Sequence, residues 1–290
     1  YMIKKFHNIQ LNSLTSKMLS FWEKDFSQSI DDHLDFLKEN MNFKVTELRA
    51  DFAVEVTGLD LSRQLSAEDL SVIREAWFKA GVMVIRDQYI TPAEQVAFSR
   101  QFGSLGIHVL DQFQHPDQKE ILVLSNKKNQ DGSPVGFEDA GRYWHSDLSY
   151  AQLPMLGSML YALEIPPQGG ETLFADMRKS LETLPETMRG RLEGLKAYHS
   201  YTRDDKAKES VEGLRPVLNI DQLSKLSDVV HPVVRTHEDT GAQSLFVNPG
   251  FTFAIKDMEF DDSANLLSEL FEHSTKPELI YTHEWQPHDL

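Results

Sequence analysis

The chain has 290 residues, of which 40% are hydrophobic and 26% are charged, proportions that are typical of a folded globular protein. The 45 acidic residues outnumber the 29 basic ones, and the net charge of −16 disfavours binding to the phosphate backbone of a nucleic acid. No apolar run reaches the ~18 residues of a membrane span, and the absence of cysteine excludes disulfides and thiolates, which leaves His, Asp and Glu as metal ligands.

The first forty residues differ from the rest of the chain. Residues 1–22 contain lysines and many Ser, Thr and Asn residues but no acid before Glu23. Such a composition is compatible with a targeting segment. We expect 1–40 to be an appended or mis-started leader of unassigned role, because Met41 opens a more regular pattern, and we predict one domain over 41–290.

Helix-capping signals organise the next part of the chain. Ser66, with Asp69 three residues later, is typical of a helix start, and Gly81 is typical of the end of that helix. Thr91 and Glu94 have the spacing of a capping box and predict a second helix. Apolar and β-branched runs around these helices predict strands at 43–48, 53–56 and 82–85.

Short strands and long loops dominate the remainder. We predict strands at 121–124, 159–163, 197–201 and 246–248. We predict helices at 176–194, with a new segment at Pro185, and at 261–273. Short strands between long loops, with the helices near the ends, do not make a doubly wound sheet. They favour a mainly β fold with flanking helices, namely a jelly roll (a double-stranded β-helix, cupin-like).

The tetrapeptide Trp144-His145-Ser146-Asp147 contains the candidate metal ligands. His145 and Asp147 are two residues apart, and in a strand such residues project to the same face. One imidazole and one carboxylate are two thirds of the two-His-one-carboxylate triad that holds non-haem Fe(II). A structural hydrogen bond between the two side chains is the alternative interpretation.

Five segments, taken in this order, resemble the TauD/TfdA family of Fe(II)- and 2-oxoglutarate-dependent dioxygenases over most of 43–290. They are WHSD at 144–147, GGETLF at 169–174, HPVVRTH at 231–237, VNPGFT at 247–252 and WQPHD at 285–289. The resemblance implies a jelly-roll enzyme that uses Fe(II), 2-oxoglutarate and O2 to hydroxylate a small organic acid, with release of succinate and CO2. It implies a small-molecule partner. Iron use and the acidic composition favour the cytoplasm as location, the charge and the lack of a long apolar run predict no nucleic-acid or membrane partner, and homo-oligomerisation is left open.

The same resemblance assigns roles to individual residues. His145 and Asp147 correspond to the first two iron ligands. Thr172 corresponds to a hydroxyl that binds a carboxylate of 2-oxoglutarate, although such a residue is also common in turns. His108 corresponds to a substrate-contacting histidine and Phe251 to an aromatic position of the substrate pocket, and simple packing roles are the alternative for both.

One departure from the family pattern concerns the end of the sequence. In the family a third histidine ligand, and then an arginine that binds 2-oxoglutarate, follow the WQPxD element. This sequence stops at Leu290, and His283 and His288 precede Asp289 and do not match that place. We therefore expect a C-terminally incomplete enzyme that binds iron poorly and turns over slowly or not at all. A catalytically inactive truncated or binding paralogue, and a zinc hydrolase that uses the same ligand types, are the rival interpretations.

Two acidic residues bear on the substrate. Asp111 aligns with a tyrosine that contacts the sulfonate in taurine-oxidising members, and Asp205 aligns with a pocket phenylalanine. A carboxylate close to a sulfonate would repel it by roughly 1–4 kcal/mol. We therefore expect an organic acid other than taurine, or a substrate with a cationic end near Asp111, unless both acids face solvent.

Overall fold

The computed structural model of the chain describes residues 42–138, 140–202 and 218–290. The predicted leader at 1–40 and Asp205 lie outside the described residues. Across those three ranges, no helix combines the length and apolarity needed to cross a bilayer.

The first sheet has three strands in the order β1-β2-β3. β1 (Lys44–Arg49) and β2 (Ala53–Thr57) are antiparallel, whereas β3 (Val82–Ile85) runs parallel to β2. Parallel neighbours need a crossover, which helix α1 (Ala67–Ala80) provides. Side chains of β2, β3 and α1 bury one hydrophobic core between the sheet and the helix. All three predicted strands are confirmed to within one or two residues.

The predicted helix starts are confirmed at atomic detail. The Ser66 hydroxyl accepts a hydrogen bond from the backbone N–H of Asp69 at 3.0 Å. At the start of α2 (Pro92–Ser99), the Thr91 backbone N–H donates to the Glu94 carboxylate at 2.7 Å, and the Glu94 N–H donates to the Thr91 hydroxyl at 3.3 Å. The bonds to Asp69 N–H and Glu94 N–H satisfy backbone donors that the first turn of a helix leaves without partners. The bonds that the Glu94 carboxylate accepts from Thr91 lower the pKa of Glu94.

The second half of the described chain mixes helices with short antiparallel strands. Its α-helices are α3 (Met177–Thr183), α4 (Glu186–Leu192), α5 (Ile220–Ser224) and α6 (Phe260–Ser274). Its strands are β4 (Thr172–Ala175), β5 (Lys196–His199), β6 (Val229–Pro232), β7 (Val234–Thr236), β8 (Gln243–Leu245), β9 (Thr252–Ile255) and β10 (Ile280–His283). Single turns of 3₁₀ helix cover Asp111–Phe113 and Pro277–Leu279.

These strands form three further sheets, β6-β5-β9, β10-β4 and β7-β8. A second hydrophobic core lies where α6 packs on this region, and Leu266, Leu267 and Leu270 of α6 are almost fully buried there. The predicted helix at 261–273 is therefore confirmed, and its apolar stripe faces the core as expected. The predicted break at Pro185 is also confirmed, because α3 and α4 lie on either side of it.

Three predicted strands are wrong. The run at 121–124 makes only isolated bridges, and the run at 159–163 is apolar because Met159 and Tyr161 pack on the first core. At 246–248 the strand pairing has already ended at Leu245, and the backbone N–H of Asn248 donates to the Thr252 hydroxyl to form a turn. In each case an apolar run predicts a strand that the structure does not form, whether the run is buried, as at 246–248, or partly exposed, as at 121–124 and 159–163.

The predicted architecture needs a correction as well. More of the described residues lie in helices than in strands, so this part of the chain is a mixed structure rather than a mainly β one. Its strands form four small sheets, and these do not close into a barrel within the described ranges.

Candidate functional site

The side chains of His145 and Asp147 meet at the protein surface. His145 Nε2 lies 3.3 Å from Asp147 Oδ1. The segment forms turns instead of the expected strand, since the backbone N–H of Ser149 donates to the Ser146 carbonyl at 3.2 Å. The turn, not strand alternation, brings the imidazole and the carboxylate together. The side chains remain 28% and 53% exposed, so a metal ion can reach both from solvent.

A backbone contact sets the orientation of the His145 ring. His145 Nδ1 lies 2.8 Å from the carbonyl oxygen of Tyr143 and donates to it. Nε2, the nitrogen that faces Asp147, is therefore the one that remains either to donate to the carboxylate or, without its proton, to bind a metal ion. A histidine that donates through one nitrogen while the other faces a ligand position is the usual arrangement at metal centres. The local geometry therefore suits a metal at Nε2.

The carboxylate of Asp147 has two partners. Its Oδ1 faces His145, and its Oδ2 accepts a hydrogen bond from the Ser158 hydroxyl at 2.6 Å. The contacts with His145 and then Ser158 lower the pKa of Asp147 against the opposing effect of burial. Asp147 is therefore ionised at neutral pH, as a metal ligand must be.

Phe251 lies beside the pair, as predicted for a pocket residue. Its ring is perpendicular to the His145 ring at a centroid distance of 6.1 Å, and it packs on Tyr150 at 4.7 Å. Phe251 is only 5% exposed. These rings form an apolar wall next to the candidate ligands, which is compatible with both the pocket role and the packing alternative.

His108 reaches the same region through Tyr150. The Leu110 backbone N–H donates to His108 Nδ1 at 3.1 Å, so the neutral ring carries its proton on Nε2, 3.4 Å from the Tyr150 hydroxyl. Burial lowers the pKa of His108, and the nearby Asp147 only partly offsets this effect. The structure thus places a neutral imidazole with a donor nitrogen near the candidate ligands.

Thr172 lies at the start of β4, opposite His283 in β10. Its hydroxyl accepts a hydrogen bond from the Trp285 indole N–H at 2.9 Å. A cavity of about 110 Å³ is lined by both Trp285 and Ser158, the serine bonded to Asp147. Thr172 and Asp147 are therefore each one hydrogen bond from the same cavity, although the described residues show no direct bond between them.

No third donor joins the pair in the described ranges, where no group of three His, Asp or Glu side chains has the arrangement of a metal site. His199, predicted to be a strand histidine, is in β5 and fully buried. Its Nδ1 lies 3.3 Å from the hydroxyls of Ser149 and Thr252, and burial, with His231 nearby, lowers the pKa of His199 to about 3.

The sequence patterns predict no role for Asn248 or Ser149. Both side chains are buried directly behind the pair, where Asn248 Nδ2 donates to Ser149 Oγ at 3.1 Å. Asn248 is in the VNPGFT segment, and Ser149 lies two residues after the WHSD segment. The sequence carries no signal for this pair, because the burial of the amide and its partner are set by the fold.

A second buried polar network was also missed. Asp289, which is fully buried, accepts hydrogen bonds from Arg86 and from the Gln286 backbone N–H, and Arg86 also pairs with Glu55 in β2. His283 lies 3.5 Å from Asp289, and burial, together with the Arg86 charge, lowers the pKa of His283. The network attaches the last described residues to the first sheet.

A histidine–carboxylate pair that is open to solvent beside an aromatic wall is a site of the kind that metal-dependent enzymes use. The family model described as "Taurine catabolism dioxygenase TauD, TfdA family" matches residues 44–290. The chain belongs to this family, whose characterised relatives include alpha-ketoglutarate-dependent dioxygenases. The predicted resemblance is thereby confirmed.

Individual relatives agree with the family assignment. The alpha-ketoglutarate-dependent 2,4-dichlorophenoxyacetate dioxygenase of Cupriavidus pinatubonensis is 30% identical over 82% of this chain and 84% of its own length. The structure of AAD-2 in complex with Mn(II) and N-oxalylglycine has 28% identity and a TM-score of 0.67, and covers 86% of each chain. A taurine dioxygenase from Burkholderia xenovorans has 26% identity and a TM-score of 0.66, over 86% of this chain and 79% of its own.

Proposed function

We propose that this protein uses Fe(II), 2-oxoglutarate and O2 to hydroxylate a small organic acid, with release of succinate and CO2. The observation that carries the proposal is the His145–Asp147 pair, whose two donor atoms face each other across 3.3 Å in a chain of the TauD/TfdA family. When bound, Fe(II) would supply the redox chemistry that couples 2-oxoglutarate decarboxylation to oxygen insertion into a C–H bond. The lack of a third donor among the described residues is the observation that an inactive paralogue would explain. Family membership disfavours a zinc hydrolase.

The two donors fit a metal ion. Ligands about 2.1 Å from an ion and at right angles to each other are about 3.0 Å apart, close to the observed 3.3 Å. His145 would bind through Nε2, with its ring held by the Tyr143 carbonyl. Asp147 would bind through Oδ1, while Ser158 holds the other oxygen of the carboxylate. Both ligands are therefore oriented before a metal arrives.

The remaining site residues divide between the two organic molecules. Thr172 would bind a carboxylate of 2-oxoglutarate, since its hydroxyl is bonded to Trp285, which lines the same cavity as Ser158, the partner of Asp147. His108 would donate through Nε2 to the acidic group of the substrate, and Phe251 would exclude water from the reacting carbon. We further infer that the four small sheets belong to one double-stranded β-helix, the fold of the related dioxygenases.

The substrate class follows from the relatives and from Asp111. The names of two relatives specify a carboxylate, 2,4-dichlorophenoxyacetate, and a sulfonate, taurine, and both are small organic acids. Asp111 is exposed, and its carboxylate accepts a hydrogen bond from Gln222 Nε2 at 2.8 Å. That bond holds a negative charge three residues from His108. Because Asp111 is exposed, its charge selects among substrates only where a substrate group binds over it. At that place a cationic or neutral group is favoured, and the sulfonate of taurine is disfavoured.

Succinate formation tests the proposal. Purified full-length protein would be incubated with Fe(II), 2-oxoglutarate and a panel of sulfonates, sulfate esters, aryloxyalkanoates and amino-acid derivatives. We expect one class to stimulate succinate release, and we expect His145→Ala to abolish it. His115→Ala is the matched control, because His115 contacts only its own loop in the described structure. Unchanged succinate production by His145→Ala would refute the metal assignment, and taurine as the best substrate would refute the role of Asp111.

A further inference from the structure

The side chain of Asn248 connects two parts of the candidate site. Its Nδ2 donates to Ser149 Oγ at 3.1 Å, and its Oδ1 accepts from the Phe251 backbone N–H at 2.9 Å. Asn248 is only 6% exposed, and Ser149 is fully buried. One amide therefore bonds both to the segment that follows Asp147 and to the aromatic residue beside His145.

The turn that begins at Asn248 also touches the ligand segment directly. The Gly250 backbone N–H donates to the Trp144 carbonyl at 2.9 Å. A Cβ placed on Gly250 would lie 2.9 Å from His145 Cβ and 2.5 Å from the Tyr143 ring. The backbone of this turn thus lies against the backbone that presents the first candidate ligand, with no room for a side chain between them.

The hydrogen-bonding capacity of Asn248 explains why a shorter or apolar side chain would not replace it. Ser149 Oγ also lies 3.3 Å from His199 Nδ1, so the serine is held from two sides. Loss of the amide would remove one hydrogen bond from the buried Phe251 N–H and one from Ser149 Oγ. The loss of hydrogen bonds to buried polar groups is costly, and the turn would move to replace them.

We propose that Asn248 is a positioning residue that fixes the ligand segment, with His145 and Asp147, relative to the Phe251 wall of the pocket. It does so through two hydrogen bonds and touches neither metal nor substrate itself. The proposal rests on the function proposed above, because it takes His145 and Asp147 as the metal ligands. The proposal predicts that a change of Asn248 alters the metal affinity although Asn248 does not contact the metal.

Metal binding without turnover provides the test. Full-length protein would be titrated with Mn²⁺ in the presence of N-oxalylglycine, and free Mn²⁺ would be followed by electron paramagnetic resonance. We expect Asn248→Ala to raise the Mn²⁺ Kd by about 10–100-fold, the effect that is usual for partners which orient metal ligands. We expect Ser149→Ala, which keeps the bond to Phe251, to raise the Kd less.

The control is a matched amide–serine pair at the surface. Asn129 Nδ2 donates to Ser133 Oγ at 3.0 Å in an exposed loop, so Asn129→Ala removes the same kind of bond away from the site. Its Mn²⁺ Kd should equal that of the wild type. Each variant would be measured well below its thermal midpoint, with near-UV circular dichroism to confirm that it is folded.

The outcomes separate the two proposals. Wild-type affinity in folded Asn248→Ala, even with a lowered Tm, would show that Asn248 only stabilises the fold and would overturn the inference. If Asn248→Ala does not fold, Ser149→Ala decides, and an unchanged Kd there would overturn the inference equally. A wild-type protein that binds no Mn²⁺ would overturn the proposed function, and the inference with it.

Discussion

Replacement of Gly250 by alanine should disturb His145 through steric contact alone. The new Cβ would lie 2.5 and 2.7 Å from two atoms of the Tyr143 ring and 2.9 Å from His145 Cβ, whereas ordinary contact begins near 3.4 Å. The Tyr143 ring can rotate, but His145 Cβ is one bond from the backbone and can give way only if the ligand segment moves. Because the Tyr143 carbonyl holds His145 Nδ1, a displacement of either residue would reorient the imidazole.

The expected cost is that of overpacking a well-packed site, about 1–3 kcal/mol in the free energy of unfolding. Gly190→Ala is a control for which the expected change in the free energy of unfolding has the opposite sign. Gly190 lies inside α4, and a Cβ there would meet nothing within 4 Å. Gly190→Ala should therefore stabilise the protein by about 0.5–1 kcal/mol, because alanine is the better helix former.

Urea denaturation followed by far-UV circular dichroism would measure both changes on the full-length protein. The Mn²⁺ titration with N-oxalylglycine would show whether the ligand segment has moved, and we expect weaker binding for Gly250→Ala and wild-type binding for Gly190→Ala. Wild-type stability together with wild-type Mn²⁺ affinity in Gly250→Ala would refute the conclusion that this turn is packed against His145.

Three further predictions concern charge. Because burial lowers the pKa of His199 from 6.5 to about 3, the unfolded chain binds more protons below pH 6.5, so stability should fall by up to about 1.4 kcal/mol per pH unit from there towards pH 3. His199→Gln should flatten this dependence in urea titrations at several pH values, and an equally steep fall would contradict the assignment. Arg86→Met should lower the free energy of unfolding, measured by urea denaturation, by about 3–5 kcal/mol, since it leaves the fully buried Asp289 without its main cation. A change below about 1 kcal/mol would argue against that ion pair. Asp111→Asn should raise kcat/KM for sulfonates up to about tenfold relative to cationic substrates, and an unchanged ratio would place Asp111 outside the pocket.

Local signals were sufficient for the longer helices in the described ranges, whereas the short α5 (Ile220–Ser224) was not predicted. The capping residues Ser66 and Thr91 act on backbone groups within three residues of themselves, so the sequence alone identifies the contact. The apolar stripe of α6 is likewise a property of one segment. These elements were predicted to within a few residues because no distant part of the chain decides them.

Apolar content alone was a poor guide to the strands. Ala162 exchanges two backbone hydrogen bonds with His288 and Asp289, so the pairing of 159–163 depends on residues that are more than a hundred positions away. Val247 is buried in the second core although its segment forms a turn. Pairing partners determine a strand, and the sequence of the run itself does not reveal them.

The residues of the site likewise divide into those that the sequence could indicate and those that only the fold brings together. The spacing of His145 and Asp147 indicated a metal pair, and the structure brings their side chains together, although through a turn. His108 and Phe251 were placed by family resemblance, and both lie close to the pair. The role of Asn248 could not be predicted, because its partner Ser149 is 99 positions away and becomes a neighbour only after folding.

Burial also prepares the electrostatics of the site for a cation. It lowers the pKa of His108, His199 and His231, so these three imidazoles are neutral at pH 7 and add no positive charge near Asp147. The pKa of Asp147 is itself lowered, chiefly by its contact with His145, so the carboxylate keeps its negative charge. A divalent ion that enters the site therefore meets an imidazole lone pair and a carboxylate whose charge these histidines do not offset. Fold stability should therefore decline as the pH falls below 6.5, where the unfolded chain protonates these histidines, whereas they should weaken metal binding only at the lower pH at which they become protonated in the folded protein.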